Sequence, residues 1–267
     1  MRLYSLASGS SGNCTYVEPE DGGRGILIDA GISMKRIKEG LENQNINIEN
    51  VLAIFVTHEH ADHISGLGPV VRKYGIPVYS TKGTIDYILE SGKCGKLDES
   101  HFNIIVPDEE IEIDGIKVTP FRISHDAADP VGYRCYSGGK NIAVATDIGV
   151  CNEYIFNYLK ECDAILLEAN HDISMLQAGP YPYSLKLRIL GNEGHLSNDK
   201  CAEFVKRLAH YKLKNLILGH LSNDNNYPEL AYQTVKNELQ LECDTYDIPM
   251  LDMCVAKRSG PTPPVVI

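Results

Sequence analysis

The chain has 267 residues, 43% of them hydrophobic, with 36 acidic against 25 basic side chains and a formal net charge of −11. That length suits one large α/β domain, and the acidic balance argues against broad, charge-driven binding to a phosphate backbone. No apolar stretch reaches membrane-span length, and the first residues lack the basic-then-apolar order of an export signal, so a cytosolic protein with no membrane partner is expected.

In chain order, residues 3–6 and 15–17 read as strands around a Ser8 to Asn13 turn, with 25–29 as a third strand after Gly22-Gly23. The Ser/Gly turn invites a phosphate-cradle reading, but it lacks the Gly-Lys-Ser/Thr ending of a P-loop, and a tight turn is the favoured role. Residues 34–41 have helical spacing. Next comes VLAIFVTHEHADHISGL, residues 51–67, in which six apolar residues give way to His58, His60, Asp62 and His63. The apolar run suits a strand buried on both faces. The polar set therefore falls just past a strand's C-terminal end, where α/β sheets collect their ligand sites. Four metal-competent side chains in six positions point to metal. His58 and His60, two apart in extended chain, project to one side. Asp62 is placed to cap a helix over 63–74, and it can cap and ligate at once.

Further on, 77–80 reads as a strand, 81–90 as a helix and 110–119 as a hairpin about Asp114-Gly115. The apolar segments 121–124, 141–146, 164–167 and 216–218 then end at His125, Asp147, Glu168 and Gly219-His220. This repetition implies one crevice that gathers the polar groups. Helices are expected over 151–159, 199–211 and 228–239, with a long loop over 174–194 that carries Lys186 and Arg188 as phosphate-binding candidates. Gly-His-Leu-Ser-Asn-Asp occurs twice, at 194–199 and 219–224. The second copy follows an apolar strand, as a metal ligand should; the first precedes a helix that Ser197 or Asn198 can cap, so His195 is read as a non-ligand. There is no linker-like stretch, so a single domain over 1–267 is expected. The 8 scattered cysteines, without a CxxC pair, read as reduced thiols, with Cys14, Cys135, Cys162 and Cys254 acting as small hydrophobes.

Thr57-His58-Glu59-His60-Ala61-Asp62-His63 resembles the HxHxDH signature of the metallo-β-lactamase superfamily of dinuclear hydrolases. Segments 5–14, 28–31, 124–126, 145–149, 167–172 and 219–222 follow in order, and together they look like the YycJ/WalJ-like branch over nearly the whole chain. The resemblance implies an α/β fold, the αββα four-layer sandwich, holding two divalent metal ions, zinc foremost and manganese as the alternative. It implies that His58, His60 and His125 hold one ion, that Asp62, His63 and His220 hold the other, and that Asp147 bridges them. Asp62 would also orient the attacking hydroxide. His195 would take the place of the extra histidine that superfamily phosphodiesterases set opposite the metals, holding a phosphate oxygen or protonating the leaving group. Asp29 would orient a ligand imidazole, and Glu168 would support His195 or His171. His171 itself stays open between substrate contact, metal approach and support. The implied activity is a DNA exonuclease working from 5′ ends. Two rivals stand beside it: a hydrolase of small esters, thioesters or lactones, and a non-catalytic metal-binding regulator. No spacing decides between DNA and RNA or sets the oligomeric state.

Overall fold

The computed structural model describes residues 1–267. The first half builds β1 (Arg2–Ala7), β2 (Cys14–Glu18), β3 (Gly25–Ile28), β4 (Val51–Phe55), β5 (Val78–Ser80) and β6 (Phe102–Ile104), with helices α1 (Met34–Glu42), α2 (Ala61–Ile64), α3 (Leu67–Tyr74) and α4 (Lys82–Ser91) between them. The second half builds β7 (Ile111–Ile113), β8 (Ile116–Arg122), β9 (Val131–Ser137), β10 (Lys140–Ala145), β11 (Ala164–Glu168), β12 (Asn215–Gly219) and β13 (Asp252–Val255). Its helices are α5 (Glu153–Leu159), α6 (Ile173–Ala178), α7 (Tyr183–Leu190), α8 (Asn198–Ala209) and α9 (Pro228–Tyr246). A last strand, β14 (Val265–Val266), returns to the first sheet beside β1. The sheet orders are β14-β1-β2-β3-β4-β5-β6 and β13-β12-β11-β10-β9-β8-β7.

Alternation along the strands explains the layering. In β4, Ala53 and Phe55 join the core between the sheets, while Ile54 and the following Val56 join the core under α1 and α3. In β11, Ala164 and Leu166 face the other sheet, whereas Ile165 and Leu167 lie under α5, α8 and α9. Strands sandwiched on both faces must be apolar throughout, and each fully buried aliphatic side chain contributes about 1.5–3 kcal/mol. The result is helix, sheet, sheet, helix: the expected four-layer sandwich.

Several local expectations hold. Asp114 and Gly115 both take positive φ, 50° and 81°, as a tight hairpin turn requires, and Ser197 caps α8 by accepting from the Lys200 amide. All eight cysteines are free; Cys14, Cys135 and Cys162 are buried and Cys254 half-buried. Four expectations are corrected. The helix over 63–74 is two helices, because Gly66 breaks it by packing so tightly on the Ile32 carbonyl that a Cβ there would lie 1.9 Å from the oxygen. Asp62 accordingly sits in the first turn of α2, and the cap position is His60. The stretch 174–194 is no loop but largely α6 and α7, and α9 runs on to Tyr246 instead of stopping at 239.

Candidate metal centre

The side chains that follow the ends of β4, β8, β10, β11 and β12 meet in one crevice. His58 Nε2 lies 3.0 Å from His60 Nδ1, which lies 3.2 Å from His125 Nε2. Beside this trio, Asp62 Oδ2 is 3.5 Å from His63 Nε2 and 3.3 Å from His220 Nε2. Asp147 stands between the two groups, with one oxygen 3.3 Å from His63 Nε2 and the other 3.7 Å from His125 Nε2. All seven residues expected as ligands are therefore brought together.

Four of the imidazoles are aimed by the bond each makes at its far nitrogen, the arrangement usual for metal-binding histidine. His63 Nδ1 donates to Asp29 at 2.7 Å and His220 Nδ1 to Glu168 at 2.8 Å. His125 Nδ1 faces the Gly194 carbonyl at 3.2 Å, and His58 Nδ1 the Thr57 hydroxyl at 3.0 Å. Thr57 in turn donates to Asp29 from its amide and its hydroxyl. Each Nε2 is thus left facing the centre of the cluster. Asp29, expected to orient a ligand imidazole, accepts from His63 Nδ1 and from Thr57. Glu168 holds both His195 and His220 through one oxygen, at 2.8 Å each, while its other oxygen accepts from the Ile148 and Leu196 amides. It makes no bond to His171.

The donor set fits divalent ions on three counts. Tetrahedral bonds of about 2.0–2.1 Å put neighbouring ligands about 3.3 Å apart, close to the nitrogen separations at His58, His60 and His125. Asp147 Oδ2 is buried with no hydrogen-bond partner, an orphan that a cation would satisfy. Charge gives the third. Burial pushes the His220 imidazole down, but Asp147, Asp62 and Glu168 outweigh it and hold the pKa at about 10. His63 is likewise raised against its burial by Asp29, Asp147 and Asp62. Despite their own burial, Asp62 and Asp147 are held below the usual carboxylate range by these imidazoles. A site that retains protons so firmly is one in which positive charge is strongly favoured, and metal binding displaces those protons.

Three of these residues adopt left-handed backbone conformations: Asp29 at φ 62°, Asp147 at 60° and His220 at 55°. Each lies one residue or so past a strand end, where the turn swings its side chain into the crevice.

The cleft over the cluster holds about 360 Å³ and is lined by Ser10, His60, Asp62, Asp147, Tyr181, Leu185, Arg188, His195 and Ser222, among others. His195 reaches it with Nδ1 pinned on Glu168. Arg188 reaches it too, but its fork is engaged by Asp126. Lys186 does not: its amine closes the end of α6 by donating to the Gln177 and Gly179 carbonyls at 2.6 and 2.7 Å. His171 is 1% exposed and lies outside the cleft, with neither ring nitrogen bonded. Burial holds its pKa down at about 4.

Residues without an assigned role in the sequence complete the frame. Asn13 Nδ2 reaches Asp62 Oδ2 at 3.3 Å and His63 Nε2 at 3.1 Å. Ser8 Oγ accepts the His220 amide, and Asn170 Nδ2 donates to the His220 carbonyl. Ser8, Asn13 and Asn170 fall in segments 5–14 and 167–172, which carry the superfamily resemblance, and that is the signal for them beyond their place in polar turns.

A family model described as the beta-lactamase superfamily domain matches residues 24–221. The chain is 40% identical to exodeoxyribonuclease WalJ of Streptococcus pneumoniae, covering 88% of this chain and 86% of that protein. It is 37% identical to exodeoxyribonuclease YycJ of Bacillus anthracis over 88% of both chains. Among solved structures, zinc-bound PqqB from Methylobacterium extorquens aligns over the whole of both chains with a TM-score of 0.72 at 18% identity, which speaks for the fold. With these likenesses, the four layers and the His/Asp cluster at the strand ends, the chain belongs to the metallo-β-lactamase superfamily as a hydrolase dependent on divalent metal ions.

Proposed function

We propose that the protein is a two-metal phosphodiesterase that degrades DNA from 5′ ends, with zinc as the first choice of metal and manganese as the second. The observation that carries the reading is the pair of ligand groups, His58/His60/His125 and Asp62/His63/His220, sharing the orphan carboxylate of Asp147 beneath a cleft on which His195 faces inward. The names of the relatives supply the substrate class. Because the ligands come from both sheets, the chain acts as one domain. Its free thiols support a cytosolic place of action.

Two divalent ions, when bound, supply a deprotonated water at neutral pH and a positive field for phosphoryl oxygens. The chain does the rest. Asp62, steadied by Asn13, presents an acceptor that orients the attacking oxygen for in-line displacement. His195, with Nδ1–H held by Glu168, keeps its Nε2 side for a phosphate oxygen or for the leaving oxygen. Sharing one Glu168 oxygen fixes the separation of His195 from the ligand His220. Tyr181, Leu185 and Ile189 form the apolar wall on the other side of the cleft.

The deciding experiment is metal-loaded protein on end-labelled duplex DNA and matched RNA, beside Asp62→Ala and His195→Ala. Trimming of DNA from 5′ ends, abolished in Asp62→Ala and lowered about 10²–10⁴-fold in His195→Ala, is expected. Turnover of thioesters or lactones with no nucleic acid cleaved would overturn the reading.

A further inference from the structure

The two cations expected to meet substrate phosphates are both engaged elsewhere, Lys186 by carbonyls and Arg188 by Asp126. In a chain of net charge −11, other groups must meet any phosphate beyond the reacting one. The Ser8 to Asn13 turn supplies them. Ser10 and Ser11 stand exposed at its tip, Ser10 lines the catalytic cleft, and their amides and hydroxyls bond to no protein group.

A guanidinium group flanks this turn. Arg258 comes from the segment after β13 and lies against Gly9, where a Cβ would meet Arg258 Nη1 at 3.3 Å and the Leu221 carbonyl at 3.1 Å. Its Nη2 donates to the carbonyl of Ser222, another cleft residue, at 2.9 Å, while Nη1 is buried without a partner. Arg36 of α1 likewise has a buried Nη2 without a partner. Arg2, Arg24, Arg122, Arg188 and Arg207 all face carboxylates; Arg36, Arg72, Arg134 and Arg258 face none. Of these four, Arg36 and Arg258 have an orphaned buried nitrogen. A buried charged donor without a partner is costly, and the one on Arg258 lies beside the cleft-lining turn. Gly9 and Gly12, at φ 148° and 146°, hold the turn in a shape that side chains disfavour.

We infer that the Ser10–Ser11 turn, with Arg258 at its flank, is a second anion subsite that binds a phosphate of the substrate strand next to the reacting one. It rests on the phosphodiesterase reading only for the source of that phosphate; the chemistry recognised is a phosphate held by amides, hydroxyls and guanidinium. The exposed Lys257 beside Arg258 adds to the local positive field. The subsite gives a strongly acidic protein a local grip on nucleic acid without a basic surface.

The test compares wild-type metal-loaded protein with Arg258→Ala and Arg258→Lys. Substrates are an oligonucleotide, with and without a 5′-phosphate, and a chromogenic nucleotide ester that has a single phosphodiester. Arg258→Ala should lower kcat/KM on the oligonucleotide about ten-fold, through KM, at least five times more than on the single phosphodiester. The slope of log KM against log salt should fall by about one, and Arg258→Lys should recover part of the loss. A loss confined to the 5′-phosphorylated strand identifies a terminal phosphate as the occupant, and an equal loss on both strands an internal one. Equal losses on oligonucleotide and single phosphodiester, or none on the oligonucleotide, would overturn the subsite. If the wild type cleaves no nucleic acid, inorganic phosphate decides the matter. Saturable shifts of the Ser10 and Ser11 amide resonances, lost in Arg258→Ala, support the subsite, and their absence in the wild type refutes it.

Discussion

Asp29 shows how one side chain that touches no substrate can govern a metal site. It accepts from Thr57 and from His63 Nδ1, so it sets both the ring angle and the tautomer of a ligand. Asp29→Asn keeps the shape but turns an acceptor into a group that can also donate. Metal affinity at the Asp62/His63/His220 group should fall about 10–100-fold, read as loss of one of two ions by mass spectrometry of dialysed protein. His171 tests the opposite case, a buried base with no partner. Its folded pKa of about 4 lies below the ordinary 6.5, so below pH 6.5 the unfolded chain takes up the proton first. Its contribution is therefore intact above pH 6.5 and is lost as pH falls toward 4, by up to about 3 kcal/mol at about 1.4 kcal/mol per unit. His171→Gln should flatten the acid limb of the urea midpoint between pH 6.5 and 4, and an unchanged limb would refute this. The histidines of the 58–63 run could be read from sequence because they are neighbours in it. Asn13 and Thr57 could not, since nothing local marks which polar turn residue will face a carboxylate folded in from elsewhere.

At the scale of elements, β4 and the turn after it were legible because an apolar run of strand length can only be buried on both sides. The break between α2 and α3 was not, as it depends on backbone contacts from residues 30–32. Gly66 donates to the Ala30 carbonyl, and Gly31 packs so closely that a Cβ would fall 1.6 Å from the Asp62 carbonyl oxygen. Gly31→Ala must therefore push the Asp62 backbone aside. The cost should be about 1–3 kcal/mol of stability, and the rise in thermal midpoint on adding metal should shrink as well. A variant that keeps the full metal-induced rise would refute this coupling. The α7 helix escaped notice for a different reason: Ile189 is its one buried residue, so it carries no apolar stripe to betray its period.

For the whole molecule, the candidate ligands link the two sheets. His58, His60, Asp62 and His63 follow a strand of the first, whereas His125, Asp147 and His220 follow strands of the second. Bound ions therefore act across the interface between the halves, and ligand binding to the folded state alone raises stability by mass action. Chelation should lower the thermal midpoint and, because a smaller ordering constraint remains, speed hydrogen exchange at the ends of β4, β10 and β12 before it does so in α9. A midpoint indifferent to chelator would contradict the placement of ions between the sheets. The pairing of the sheets lay outside the reach of local pattern, and only the repeated polar group at each strand end hinted that one crevice would collect them.

The left-handed turns at Asp29, Asp147 and His220 bear on how such a protein changes under selection. Each places a non-glycine residue where glycine is at ease, at a cost of order 1–3 kcal/mol, and each adds buried charge or imidazole to a crowded cluster. A screen of metal-free protein for heat resistance alone should accumulate glycine or asparagine at these three positions, dismantling the centre while improving the fold. Stability and chemistry pull in opposite directions at the same three backbone positions.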